Sequence, residues 1–380
     1  NNRTRKELAQ PARISMKMIS FLFALMICGT AHVEGLDFNL FSSKTKIPDV
    51  GVVSAGPIDI SSIGCGTWSW GNRFLFDYDT SQDESIYEAY REVRNAGVTL
   101  FDTADSYGTL DLNGRAETLL GNFERRYKGT EMNSNYRPQQ VATKIAPYPW
   151  RITPSNIVRS TEGSLRRLEQ SKLAVAQLHW STVNYQPFQE RALHEGICDV
   201  YDKGLCEAVG VSNYGPKQLL AVSEKFRERK VPLAIAQVQY SLMTYNANTN
   251  SNGMTGGNGK NMNEICDDVN CRLISYSPLC LGLLTGKYTL KETNRLPTSK
   301  ARQQLFRELL PGAQGLLDTL EVVAKEYGKS QSQIAINWCI QKGTVPIPGG
   351  RTLTQARENL GATGFSLQPD AVRELETAAS

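Results

Sequence analysis

Histidine is nearly absent from this sequence, with three in 380 residues. Beyond residue 45 only His179 and His194 remain, with no metal-ligand spacing between them, so a metal-dependent hydrolase is excluded. Eight cysteines occur but no CxxC pair, which argues against a zinc site or a disulfide framework. Seven of them lie beyond the N-terminal segment inside apolar runs, where a thiol behaves as a small hydrophobe. Charge of one sign is also lacking. The first 31 residues hold five Lys/Arg against one acid, and removing them leaves 37 of each, so no basic nucleic-acid surface is expected. Two phosphate-binding signatures are missing as well. Gly64-Cys65-Gly66-Thr67-Trp68-Ser69 lacks the third glycine of GxGxxG, and Gly282–Lys287 has three residues between its glycines, with Tyr288 in place of Ser/Thr.

The N-terminus stands apart in composition. Met16 opens a short basic region, an apolar run of about eleven residues and a small-residue end near Ala31, the pattern of a secretory signal peptide. The run falls short of the roughly 20 residues needed to span a bilayer. Residues 1–45 are therefore set apart as an extension with a signal-like segment over 16–31, and 46–380 as one folded domain. Charged residues at 21% and apolar residues at 40% fit a globular chain with a sizeable core.

From residue 57 short apolar strands alternate with amphipathic stretches. Strands are expected at Ile58–Cys65, 98–102, Gln140–Lys144, Leu173–Leu178, Ala208–Val211, Leu233–Gln239, Arg272–Tyr276 and Thr344–Ile347. Helices are expected near 81–96, 114–126, 154–168, 188–203, 216–228, 313–327, 330–341, 352–360 and 369–379. Pro154 suits a first helical position and Gly204 a stop. Eight such repeats predict an α/β fold, a (β/α)8 TIM barrel of one domain without a Rossmann domain. An Asn/Gly-rich stretch over 246–263 reads as a loop insert after the sixth strand, on the face where barrel strands end.

That face gathers the polar residues. Asp102 ends the second strand and Tyr107 follows five residues on. Lys144 ends the third and His179 the fourth. Free tyrosine titrates near 10, so proton transfer by Tyr107 calls for a cation that lowers its pKa. Lys144 is the expected cation, held charged by Asp102, with His179 orienting the reacting oxygen. These four are the catalytic candidates.

The motifs resemble those of the aldo-keto reductases over about residues 58–378. Phe101-Asp102-Thr103-Ala104-Asp105-Ser106-Tyr107-Gly108 is similar to the family's Asp/Tyr motif. Val141–Lys144 and Gln177–Trp180 are similar to its Lys and His segments, and Gly282–Tyr288 is most similar to plant and algal plastid members. The resemblance implies NADPH bound in an extended pose over the barrel mouth. Ser212, Asn213 and Gln237 would bind the carboxamide, with Tyr276 stacked on the nicotinamide. Ser277 and Leu279 would line the pyrophosphate path, with Lys287 as charge partner. Glu358 and Asn359 would address adenine, and Arg351 and Thr352 the 2′-phosphate. Thr67, Trp68, Asp102, Gly349 and Gln355 complete the implied cofactor set. Gln355 stands where many members carry Arg, which leaves Arg351 as the main cation.

The implied reaction is NADP-dependent reduction of an aldehyde or ketone to an alcohol, with Tyr107 as general acid. Trp68, Trp70, Tyr148, Trp150 and Trp180, together with Tyr107 and His179, would face the carbonyl substrate. A second function class is an NADPH-binding regulatory or redox-sensing subunit with little turnover. No metal, nucleic acid or stable membrane span is expected in the mature chain. The signal-like start and the resemblance together point to a plastid reached through the secretory pathway, with secretion or an endomembrane lumen as the alternative.

Overall fold

The computed structural model describes residues 50–130, 136–245, 260–290 and 296–379. The signal-like segment and residues 246–259 of the insert lie outside the described residues.

β1 (Val52–Ala55) and β2 (Ile58–Ser61) form an antiparallel hairpin. Ile58 and Ile60 of β2 are buried against the barrel while Asp59 between them is exposed, the alternation of a strand with one wet face. The barrel itself is a parallel sheet of eight strands: β3 (Cys65–Gly66), β4 (Leu100–Ala104), β5 (Gln140–Ile145), β6 (Leu173–Leu178), β7 (Cys206–Ser212), β8 (Leu233–Gln239), β9 (Arg272–Tyr276) and β10 (Val345–Ile347). They are hydrogen-bonded in chain order, so each strand end neighbours the next. β10 returns to β3 through Gly64 N to Pro346 O at 2.9 Å and Gly66 N to Pro348 O at 3.2 Å. A β-carbon on Gly66 would lie 2.8 Å from Ile347 O, so the seam closes only over glycine. This is the (β/α)8 barrel expected. One expected strand is divided: Ile58–Ser61 belongs to the hairpin, and Cys65–Gly66 alone enters the barrel, because the turn at 62–64 redirects the chain between them.

The helices form the outer layer. They are α1 (Arg73–Phe76), α2 (Asp83–Asn95), α3 (Arg115–Thr130), α4 (Pro154–Leu168), α5 (Pro187–Asp202), α6 (Pro216–Glu228), α7 (Met262–Asp268), α8 (Lys300–Glu326), α9 (Gln331–Gln341), α10 (Leu353–Leu360) and α11 (Pro369–Ala378). Proline opens α4, α5, α6 and α11, where its missing N–H costs no helical bond. α7 begins inside the stretch expected as insert. Asn261 caps it reciprocally with Glu264, and Met262 and Ile265 are buried, so the chain is already helical there.

α8 also departs from expectation. It starts at Lys300, thirteen residues before the helix expected near 313–327, and runs through Pro311. Proline in a helix interior costs roughly 3 kcal/mol. Leu305, Phe306, Leu309, Leu310, Ala313 and Leu316 put one continuous apolar face into the core on either side of it. Each fully buried large apolar side chain returns about 1.5–3 kcal/mol, so packing outweighs the propensity term. The seven cysteines of the described residues are all buried and unpaired. No helix among the described residues is long and apolar enough to cross a membrane.

Candidate active site

The barrel register places the polar residues. Asp102 pairs with Ala142, Ala104 with Lys144, and Lys144 with Gln177 across β4, β5 and β6. Two residues apart on adjacent strands, Asp102 and Lys144 turn into the barrel mouth, and Lys144 Nζ donates to Asp102 Oδ1 at 2.5 Å. The same ammonium donates to Thr103 O at 3.0 Å and Tyr107 Oη at 3.1 Å. The second Asp102 oxygen accepts from Gln237 Nε2 at 2.6 Å and Gln177 Nε2 at 3.3 Å. All of these side chains are buried. A buried ion pair is tolerated when its spare donors and acceptors are satisfied, and here they are.

Tyr107 leaves β4 by a tight turn, its N–H bonding Ala104 O at 3.1 Å. Gly108 follows at φ +126°, where a β-carbon would stand 1.8 Å from Leu112 O, so only glycine lets the chain turn away behind the phenol. His179 stands beside Tyr107, ring centroids 5.8 Å apart. Its Nδ1 is 3.4 Å from Ser106 Oγ. The structure therefore brings Asp102, Tyr107, Lys144 and His179 together.

The electrostatics differ from the sequence reading in one respect. Burial, and then the Asp102 carboxylate, hold the Tyr107 phenol well above 10, where a lowered value was expected. The reason is geometric. Lys144 is closer to Asp102 than to the phenol, so its charge is largely balanced before it reaches the oxygen, while the site excludes water. Burial pushes Lys144 down, with Asp102 opposing. Burial, then Lys144 and Arg151, push His179 well below 6.5, so its imidazole is neutral. The mouth thus holds a proton-loaded phenol beside a charge pair and a neutral imidazole.

From these residues a cleft of about 240 Å³ runs across the barrel mouth. Its inner end is walled by Trp68, Ser212, Asn213, Gln237 and Tyr276. Asn213 is built into that wall: its amide donates to His179 O at 3.0 Å and accepts from Tyr276 Oη at 2.8 Å. Ser277, Leu279 and Gly349 continue the cleft, and Lys287, Arg351, Gln355, Glu358 and Asn359 line its outer end. Asn213, Ser277 and Leu281 all hold positive φ along it, at 60°, 52° and 58°. Non-glycine residues adopt that region at a cost, and such strain clusters where the backbone must follow a ligand.

The outer end is cationic. Arg302, which the sequence reading did not single out, lines the cleft with Arg351 and Lys287. The two guanidinium carbons lie 5.6 and 5.7 Å from the centre of the Phe76 ring. Arg302 Nη2 donates to Leu281 O at 2.7 Å, while its buried Nε has no partner. Three cations and an unspent guanidinium donor at one end, with an aromatic and amide wall at the other, suit a dinucleotide whose phosphates lie far from its reacting ring. The residues present fit NADPH.

The family model described as Aldo/keto reductase family matches residues 62–380. The chain belongs to the aldo/keto reductase family. It is 47% identical over 327 residues, 86% of this chain and 85% of the other, to a chloroplastic pyridoxal reductase of Arabidopsis thaliana. Among solved structures, a glycerol dehydrogenase of Gluconobacter oxydans superposes with TM-score 0.64 at 22% identity, over 87% of this chain and 94% of that one. An aldo-keto reductase of Bombyx mori in complex with NADP superposes with TM-score 0.59 at 16% identity, over 87% and 93%.

Several residues named from the sequence are core, cap or rim residues in this family member, or line the cleft while already bonded to a neighbour. Trp70 is fully buried, packs on Phe123 with centroids 5.7 Å apart, and donates to Gly350 O at 3.0 Å, so it is core and not a substrate wall. Thr67 is fully buried and its hydroxyl donates to Asp102 O at 3.0 Å, which spends it on the strand end instead of a cofactor. Thr352 caps α10, its Oγ1 accepting from Gln355 N at 3.3 Å. Trp150 is 68% exposed and stacks on Tyr148 at 4.8 Å, on the rim. Trp180 also sits at the rim, donating to Tyr185 Oη at 2.7 Å, with its ring 4.5 Å from His179. Glu358 accepts from Ser330 Oγ, and Asn359 donates to Gly349 O at 3.2 Å.

Gln177 was also missed as a partner of Asp102. β6 is buried at all six positions, so no alternation marks which side chain faces inward. Arg302 could have been found only as a lone cation in an amphipathic stretch, which is no signal by itself.

Proposed function

We propose that this chain is an NADP-dependent oxidoreductase that reduces an aldehyde or ketone to an alcohol, acting on CH–OH groups in the reverse direction. The observation that carries the reading is Lys144 Nζ bridging Asp102 Oδ1 at 2.5 Å and Tyr107 Oη at 3.1 Å at the mouth of a cleft with a cationic far end. Bound NADPH supplies the hydride. Tyr107 gives its phenolic proton to the carbonyl oxygen as negative charge builds there. A phenol held above its ordinary pKa is fully protonated at neutral pH, ready to donate. Lys144 stabilises the phenolate left behind, and Asp102 keeps that ammonium charged and in place. Neutral His179 donates a hydrogen bond to the same oxygen and orients it.

Ser212, Asn213, Gln237 and Tyr276 hold the nicotinamide end. Arg302, Arg351 and Lys287 hold the phosphates, with Gln355, Glu358 and Asn359 at the adenosine end. Trp68 and His179, with the rim aromatics Trp150 and Trp180, shape the substrate mouth. The similarity to a pyridoxal reductase at 47% identity supports an aromatic aldehyde of the pyridoxal class as substrate and the plastid as location. The signal-like segment over 16–31 supports entry by the secretory route, which a fluorescent fusion of residues 16–60 would follow.

The test is a panel of pyridoxal, an alkenal and an aldose with NADPH and NADH, read at the nicotinamide absorbance. Pyridoxal with NADPH is expected to give the highest kcat/KM, and Tyr107→Phe to bind NADPH without reducing pyridoxal. Undiminished reduction by Tyr107→Phe overturns the mechanism. Tight NADPH binding with no turnover of any carbonyl would favour the regulatory subunit instead.

A further inference from the structure

Asp105 and Ser106 are the two central residues of the turn that carries Tyr107 away from β4, and the mechanism above gives neither a part. The turn is already closed by the Tyr107 N–H on Ala104 O, and the Asp105 N–H bonds Lys144 O at 3.0 Å. The Asp105 carboxylate adds a second clamp. Its Oδ1 accepts from Ala146 N at 3.1 Å, and its Oδ2 pairs with Arg151 Nη1 at 2.6 Å. Both side chains are buried or nearly so, at 3% and 13% exposed.

Arg151 is itself held from several sides. Nη1 donates to Ala146 O at 2.5 Å, its guanidinium lies 4.7 Å over the Tyr148 ring, and its carbonyl accepts from Gln189 Nε2 of α5 at 3.2 Å. The pair therefore joins the turn before Tyr107 to the loop leaving β5, two residues beyond Lys144. The segment it grips also supports His179, whose N–H bonds Ile145 O at 3.2 Å. A buried ion pair is weak evidence for stability, because desolvation offsets much of its attraction. What it does supply is a side-chain tie between the two loops beyond the last backbone bond of the β4–β5 ladder, Asp105 N–H to Lys144 O.

We propose that the Asp105–Arg151 pair is a positioning device for carbonyl reduction, clamping the Ala104–Tyr107 turn to the end of β5 and so setting the spacing between the Tyr107 phenol and the Lys144 ammonium. Asp105 and Arg151 are positioning residues, since neither touches the cleft. The inference rests on Tyr107 being the proton donor. Because the backbone bonds of the turn do not need the carboxylate, Asp105→Asn is expected to retain the turn and the Ala146 bond, at the cost of leaving the Arg151 charge without its partner. Misplacement of reacting groups by about 1 Å can cost on the order of a hundredfold in rate.

Asp105→Asn, Arg151→Met, Arg151→Lys and the double variant Asp105→Asn/Arg151→Met are assayed with the full chain, pyridoxal and NADPH. The double variant removes both charges, which guards against a fold lost to one unpaired buried charge. Expected are a fall in kcat of about tenfold or more in Asp105→Asn and in the double variant, an unchanged Kd for NADPH, and a larger solvent deuterium isotope effect as proton transfer becomes limiting. Arg151→Lys is expected to recover part of what Arg151→Met loses. A merely structural pair would lower stability and move none of these together. Parental kcat and isotope effect in Asp105→Asn and in the double variant, beside an inactive Tyr107→Phe, overturn this inference alone. Parental kcat in Tyr107→Phe overturns it together with the reading it rests on.

Discussion

The two ends of the cleft are built on opposite plans. At the inner end Asp102, Lys144, Gln177 and Gln237 are buried and tied into one network, with both carboxylate oxygens and three ammonium bonds in use. At the outer end the cations sit around Phe76 with capacity to spare. Arg302 gives Nη2 to Leu281 O and also bonds the Tyr288 side chain, leaving Nε without a partner, and Arg351 spends Nη1 on Phe76 O at 2.6 Å and Gln82 Oε1 at 3.0 Å. Burial, and for Arg351 the neighbouring Arg302, push both guanidiniums below their ordinary pKa. Two like charges held close and partly dried would be stabilised by an anion between them. A closed network fixes groups that must react, and an unspent one recognises a charged group that need only be held.

Breaking the closed network should cost most. Lys144→Met leaves the Asp102 carboxylate buried with only two amides, a change worth about 3–5 kcal/mol of stability. It also removes the charge that receives the phenolate, so kcat should fall about 10²–10⁴-fold. Urea unfolding and steady-state kinetics on the one variant read both losses. If the inner end were merely a structural ion pair, the first loss would appear without the second.

The inner end was also the part most legible in the sequence, and the reason is the fold. In a barrel of consecutive parallel strands a polar residue at a strand end must meet its neighbours on the next strands, so Asp102, Lys144 and His179 could be placed together from strand order alone. Residues after strands were harder. Trp70 lies two residues beyond Trp68, yet one side chain lines the cleft and the other is core, a difference set by the turn at 67–70 whose Trp70 N–H bonds Thr67 O. Arg302 reaches the cleft from the start of α8, more than twenty residues beyond β9, and no local pattern reports such a return. The sign of the Tyr107 shift was misjudged because spacing identifies a cation but not how completely another anion already balances it.

Opening the outer end should have the next largest effect, of a different kind. Arg351→Gln or Arg302→Gln removes a charged hydrogen bond worth about 1.5–3 kcal/mol, which raises the KM for NADPH about 10–100-fold. Turnover at saturating cofactor should stay near the parental value, and the preference for NADPH over NADH should shrink with Arg351→Gln. If either variant instead lowered kcat at saturation, the division between a reacting end and a holding end would fail.

The smallest expected effect concerns His179 and sharpens how dry the inner end is. Burial, then Lys144 and Arg151, hold its pKa well below 6.5 in the folded chain, whereas in the unfolded chain it titrates near about 6.5. Between those two values the unfolded chain binds more protons, so stability rises with pH there. The contribution is complete above about pH 6.5 and is lost as pH falls toward the folded value, by at most about 1.4 kcal/mol per pH unit for one proton. Urea midpoints measured across that window should show this slope, and His179→Gln should flatten it. Ser106→Ala should leave it in place, because the hydroxyl 3.4 Å from Nδ1 orients the ring without setting its charge. A slope that survives His179→Gln would assign the missing proton to another buried group and remove the evidence that the imidazole enters the reaction neutral.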